Sequence, residues 1–157
     1  MQELKLAFNF VTPKDTWGEG PWQHEPDGVI WTDAETGLPC MALRNHMGCW
    51  CGYVGVGADN RASTGCAPSG SIHGGITYNE LEMPLLPEPI SNSNTWSPEV
   101  GAFAARWYGF DCAHVYSDLP PIDMLNIRIR KERRTYKTLD FVKKQCEQLA
   151  KQLVEGK

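Results

Sequence analysis

The sequence predicts an α+β domain: an antiparallel sheet of about five or six strands with long loops, covered by a C-terminal helix. Three observations carry this. Short β-rich runs follow one another through the first half of the chain, with turn residues between them. From Thr138 onward apolar residues recur every three or four positions, the period of an amphipathic helix. The 157 residues show no repeat of solenoid period and fit one domain, residues 1–157.

In chain order, Leu4, Leu6, Phe8 and Phe10 alternate as on one face of a strand. A Gly/Pro/Trp loop with aromatic anchors, Trp17 to Pro26, follows. Val29–Thr32 is a second strand, ended by the turn-forming Asp33-Ala34-Glu35-Thr36-Gly37. Leu38–Arg44, a turn at Asn45–Gly48, and Cys49–Val56 complete an antiparallel meander. Gly57–Ser71 reads as a surface loop and Ile72–Tyr78 as another strand. Residues 83–98 hold Pro84, Pro87, Pro89 and Pro98, so neither a continuous helix nor a central strand fits there. Trp107–Phe110 is a central strand, followed by a loop over Asp111–Pro121. The helix takes Thr138 as N-cap, places Asp140 in its first turn, and turns Leu139, Val142, Cys146, Leu149 and Leu153 toward the sheet.

Composition narrows the function classes. Hydrophobic residues at 41% and charged residues at 22% are those of a globular chain. The net charge of −4 makes duplex nucleic acid an unlikely partner, since affinity for it comes from neutralising phosphates. No apolar stretch approaches a membrane span, and the start of the chain has no apolar signal region, so the expectation is a cytoplasmic protein with no membrane partner. The six cysteines are then expected to be reduced, and Cys49-x-Cys51 is too close for zinc-finger spacing.

Two strings bear chemistry. Gly109-Phe110-Asp111-Cys112-Ala113-His114, with Asp118 beyond it, follows an apolar strand, where a rigid backbone presents polar groups on a loop. A histidine among carboxylates serves either as an oriented general base or as a ligand set for a divalent metal. The plain alternative is that Asp111 caps a turn and His114 is an ordinary surface or core histidine. Ile72-His73-Gly74-Gly75-Ile76-Thr77-Tyr78 is the second string. Its glycines allow a ligand close to the backbone and free amides to bind it, with Thr77 in the lining, or else they form a bulge that bends a strand. His73 is expected to meet His114 across neighbouring strands. The candidate catalytic residues are therefore His73, Asp111 and His114. The metal candidates are His73, Asp111, His114 and Asp118, with the metal's identity open.

The basic run Arg128-Ile129-Arg130-Lys131-Glu132-Arg133-Arg134, with Lys137 beyond, is the concentrated positive charge of the chain. Arg128, Arg130 and Arg133 suit a phosphate, or else form a solvated face. Of six tryptophans most belong to the core, while Trp96, in the Pro/Ser/Asn segment, is the candidate to stack on a ligand. Gly74, Gly75, Thr77 and Trp96 complete the ligand-binding candidates. Gly52-Tyr53-Val54-Gly55-Val56-Gly57 matches neither a dinucleotide fingerprint nor a P-loop and reads as a closely packed strand. Cys112 is a minor candidate nucleophile.

The strings Gly52–Val56, His73–Tyr78, Gly109–His114 and Tyr136–Leu139 resemble a family of small uncharacterised proteins encoded by bacteriophages and prophages, over roughly residues 20 to 153. In that family the segment between the histidine and the next aspartate is one residue shorter than Val115-Tyr116-Ser117. The resemblance implies a phage origin and a place in the cytoplasm of an infected bacterium. By analogy with phage accessory proteins it points to counter-defence. Two readings follow. One is a small hydrolase acting on a nucleotide or phosphodiester, with a divalent metal as its candidate cofactor. The other is a non-enzymatic binder that sequesters a nucleotide signal or inhibits a host defence protein. Oligomeric state is left open.

Overall fold

A computed structural model of the chain describes residues 5–9, 14–84, 104–126, 128 and 134–155. Within these, six strands form one antiparallel sheet: β1 (Lys5–Phe8), β2 (Gly28–Thr32), β3 (Pro39–Arg44), β4 (Trp50–Val56), β5 (Tyr78–Glu80) and β6 (Arg106–Asp111). The order across the sheet is β1-β2-β3-β4-β6-β5, with every neighbouring pair antiparallel. Among the described residues one α-helix, α1 (Leu139–Glu155), packs over β4 and β3. The molecule is thus an α+β fold. Leu4 and Phe10 of the expected first strand lie outside the described residues.

The meander is held where its turn residues predicted. Between β2 and β3 the Asp33 carboxylate accepts from the Thr36 amide at 2.9 Å and the Thr36 hydroxyl at 2.6 Å. Gly37 takes the left-handed conformation that ends this turn. Between β3 and β4 the Asn45 side chain accepts from the Met47 and Cys49 amides at 2.9 and 3.0 Å.

The two-residue period of the strands sorts the core onto two faces. Val29, Trp31, Cys40, Ala42, Trp50, Val54, Tyr108 and Phe110 lie with Val142, Cys146, Leu149, Ala150 and Leu153 of α1 in one buried cluster. Ile30, Met41, Leu43 and Trp107 form a second cluster, with Tyr53 and Tyr78 packed against it. Each valine or leucine that α1 buries stabilises the fold by about 1.5–3 kcal/mol. Gly52 lets the helix sit close: a Cβ there would come within 2.4 Å of the Phe110 ring and 2.9 Å of Cys146 Sγ. The stretch Gly52–Val56 is therefore a packed strand.

The expected strand over Ile72–Tyr78 is replaced by a turn. The Gly75 amide donates to the Ile72 carbonyl at 2.8 Å, and Gly74 and Gly75 have positive φ, so the chain reverses where an extended run was expected. Only Tyr78–Glu80 pairs, as the short edge strand β5.

The start of α1 is fixed twice. The Thr138 hydroxyl accepts from the Phe141 amide at 3.2 Å, the expected N-cap. The Glu25 carboxylate also accepts from the Leu139 amide at 2.6 Å. Glu25 belongs to a network the sequence did not reveal. Arg44, at the end of β3, donates to Asp27 at 2.9 Å, to Glu25 at 3.1 Å and to the Gly48 carbonyl at 2.8 Å. Its guanidinium lies 4.4 Å from the centre of the Trp50 ring. Lys14 adds an ion pair to Asp27 at 2.8 Å. The Tyr136 hydroxyl accepts from Arg44 at 2.8 Å and from the Trp50 indole at 3.1 Å, and donates to Glu25.

Candidate functional site

Three segments far apart in sequence converge beside the first turns of α1. The Ile72–Gly75 turn brings His73, whose amide donates to the Gln145 side chain of α1 at 3.0 Å. The loop after β6 brings His114, which opens a tight turn closed by the Ser117 and Asp118 amides on its carbonyl at 3.2 and 2.8 Å. The segment before α1 runs alongside Ser117–Leu119: the Thr135 amide donates to the Ser117 carbonyl at 3.0 Å, and Thr135 accepts from Leu119 at 2.9 Å. That short pairing delivers Arg134 and Lys137.

At the junction lies the carboxylate of Asp118, a residue only 1% exposed. His73 Nε2 is 2.9 Å from both of its oxygens. The His114 amide donates to it at 2.9 Å, and the Lys137 ammonium pairs with it at 3.1 Å. Burial alone disfavours the charged form, but the bonds from the His114 amide, His73 and Lys137 outweigh it and hold the carboxyl below its ordinary value. Asp118 is therefore an anion at neutral pH.

The rings of His73 and His114 meet edge to face with centroids 5.5 Å apart. His73 also packs on Phe141 of α1 at 5.2 Å. His114 Nε2 is buried and has no hydrogen-bond partner among the described residues. The Asp111 carboxylate stands 3.5 Å from it. Gly74 lets the His114 ring pack against the turn, because a Cβ on Gly74 would stand 1.8 Å from His114 Nε2.

The two candidate histidines thus meet, though on turns and not across neighbouring strands as expected. The carboxylate between them is that of Asp118. Asp111 accepts from the Ala113 amide at 3.1 Å, as the plain turn-capping alternative had it, and stands at the margin of the cluster. The glycine amides are not a free cradle, since that of Gly75 closes the turn onto Ile72. Thr77 is exposed, its amide spent on the Gly109 carbonyl at 2.8 Å. Arg128 is exposed, and its amide donates to Asn126 at 3.0 Å. Trp96, Arg130 and Arg133 lie outside the described residues. The cations seen to touch the centre are Lys137, which also donates to the Ser117 carbonyl at 2.9 Å, and Arg134, whose Nε donates to the Asp118 carbonyl at 2.9 Å. Both stand at the end of the basic run. No sequence signal distinguished them from its other members, because the pairing of Thr135 with residues 117–119 is long-range.

The cysteines take no part. All six are unpaired, and burial, helped by nearby Asp118, pushes the Cys112 thiol far above its ordinary value and removes it as a nucleophile. Of the other five tryptophans, all are buried. Among the described residues no helix is long and apolar enough to cross a membrane. Comparison with family models, with curated proteins and with solved structures finds no match for the chain.

Proposed function

We propose that the chain is a small hydrolase that opens a phosphodiester in a cyclic or linear nucleotide at the cluster of His73, His114 and Asp118. The observation that carries this reading is the convergence of two imidazoles from distant segments on one buried, ionised carboxylate. Such a group has what hydrolysis needs: a fixed point at which a water is activated, and ring nitrogens and an oriented carboxylate to direct its proton. Lys137 and Arg134 supply positive charge beside that point, suited to a phosphoryl group gaining negative charge in the transition state. Tyr116, 90% exposed on the same turn as His114, offers a ring face to a nucleobase. In the setting implied by the sequence resemblance, destroying a nucleotide signal is a counter-defence activity.

The test is product analysis after incubating the purified chain with a panel of cyclic and linear nucleotides. The parent is expected to convert at least one of them, and His114→Ala to lower that rate by about a hundredfold or more. Equal rates for the two proteins would overturn the assignment. A nucleotide bound by the parent but recovered intact would replace hydrolysis by sequestration.

A further inference from the structure

We infer that His73, His114 and Asp118 bind a divalent transition ion of the zinc class. One ligand atom from each residue lies within 4.8 Å of the other two. Two imidazole nitrogens and one carboxylate oxygen are donors for zinc and its first-row neighbours, whereas magnesium and calcium take shells made of oxygen. Around a tetrahedral ion with bonds near 2.05 Å, ligand atoms stand about 3.3 Å apart. His73 Nε2 and the Asp118 oxygens, now at 2.9 Å, need open by only a few tenths of an ångström to admit it.

Two features point to a ligand and not to a hydrogen-bonded histidine pair. His114 Nε2 is a buried ring nitrogen without a hydrogen-bond partner among the described residues, and a bound ion is one of the few things that satisfies such a group. The residue packed against that ring is a glycine at φ +69°, and a Cβ there would stand 1.8 Å from Nε2, so any side chain would push the imidazole out of the cluster. The outer contacts are also in position. Gln145 fixes the His73 backbone, and the His114 amide and Lys137 orient the Asp118 carboxylate. The side chains of His73 and His114 remain 16% and 30% exposed, so the cluster borders solvent and water could supply a fourth ligand. Three protein ligands with an open fourth position is the arrangement of catalytic zinc, which brings the pKa of a bound water to about 7.

This inference deepens the hydrolase reading by naming what activates the water, but its test is binding. The chain, freed of metal with a chelator, is titrated with Co²⁺ while visible d–d absorption is recorded. One equivalent is expected to bind, with the band lost on adding Zn²⁺. His114→Ala should weaken binding by more than about a hundredfold, beyond what the loss of an outer partner costs. Gly74→Ala should do the same through its Cβ, and thermal melts of both variants establish that they are folded. The inference is overturned if the parent binds no Co²⁺, if folded His114→Ala keeps parent affinity, or if thiolate-to-cobalt charge-transfer bands show cysteine ligation. Stoichiometric binding without turnover of any nucleotide sinks the hydrolase alone. Turnover that persists after chelation sinks the ion alone.

Discussion

Glu25, Arg44 and Tyr136 reach the first turn of α1, as His73 does through Phe141 and Gln145, yet the two groups are finished differently. In the first, each polar atom seen has a partner: Tyr136 Oη both accepts and donates, Arg44 donates from all three of its nitrogens, and Glu25 uses both oxygens. In the second, a carboxylate as deeply buried is saturated with donors, while the adjacent His114 ring keeps a buried nitrogen unused. A satisfied network fixes a fold. A network left one partner short costs stability and persists where something else completes it. The difference separates the part of the molecule that holds α1 in place from the part proposed to act.

The largest expected effect tests this division directly. Arg44→Met should cost about 3–5 kcal/mol in urea denaturation, because it removes the guanidinium that pairs with partly buried Glu25 and fully buried Asp27. His114→Ala should change stability by less than about 1 kcal/mol, since it removes a side chain whose Nε2 has no hydrogen bond to lose. If the two substitutions were equally destabilising, the histidine cluster would be as structural as the arginine network.

The sequence showed the second group more clearly than the first, for a physical reason. His73 and His114 advertise themselves by residue type and by their glycine and aspartate neighbours. The strand period and the turn residues placed β2, β3 and β4, and the apolar stripe placed α1, because those signals are local. Asp118 could be counted among the candidates, but its central place could not be read. It depends on the turn at His114 and on Thr135 lying alongside residues 117–119. Glu25, Asp27 and Arg44 carried no signal but parity: Arg44 continues the face of Cys40 and Ala42, where a charge implies a buried partner. The turn at Gly74-Gly75 was misread as a strand because β-branched and aromatic neighbours outweigh two glycines in a pattern and not in a backbone.

Next in size is Tyr136→Phe, expected to cost about 1–3 kcal/mol by leaving buried donors on Arg44 and Trp50 and an acceptor on Glu25 unpaired. It also has a pH signature. Burial, with Glu25 beside it, pushes the Tyr136 hydroxyl well above its ordinary value of 10, and Arg44 pulls against this without prevailing. A folded pKa above the unfolded one means a contribution that is whole below pH 10 and is lost as pH rises beyond it. The parent should therefore lose stability between pH 9 and 11 more steeply than Tyr136→Phe, as denaturation midpoints at those two pH values will show. Parallel loss in both proteins would mean that Tyr136 is not held in its neutral form by the fold.

Thr138→Ala should be the mildest change. Loss of an N-cap hydroxyl ordinarily costs about 1 kcal/mol, because one of the first amides of the helix is left without an acceptor. Here the Leu139 amide already donates to Glu25, and only the Phe141 amide depends on Thr138 Oγ1. A water can reach that amide, since Phe141 is only partly buried. The cost should therefore fall to roughly half the ordinary value or less. In a Glu25→Gln background, where the carboxylate's charge no longer faces the helix dipole, the same Thr138→Ala change should return to its full cost. A double-mutant cycle on urea midpoints reads that difference as a coupling energy. Zero coupling would show that Glu25 serves Arg44 and Tyr136 without supporting the start of α1.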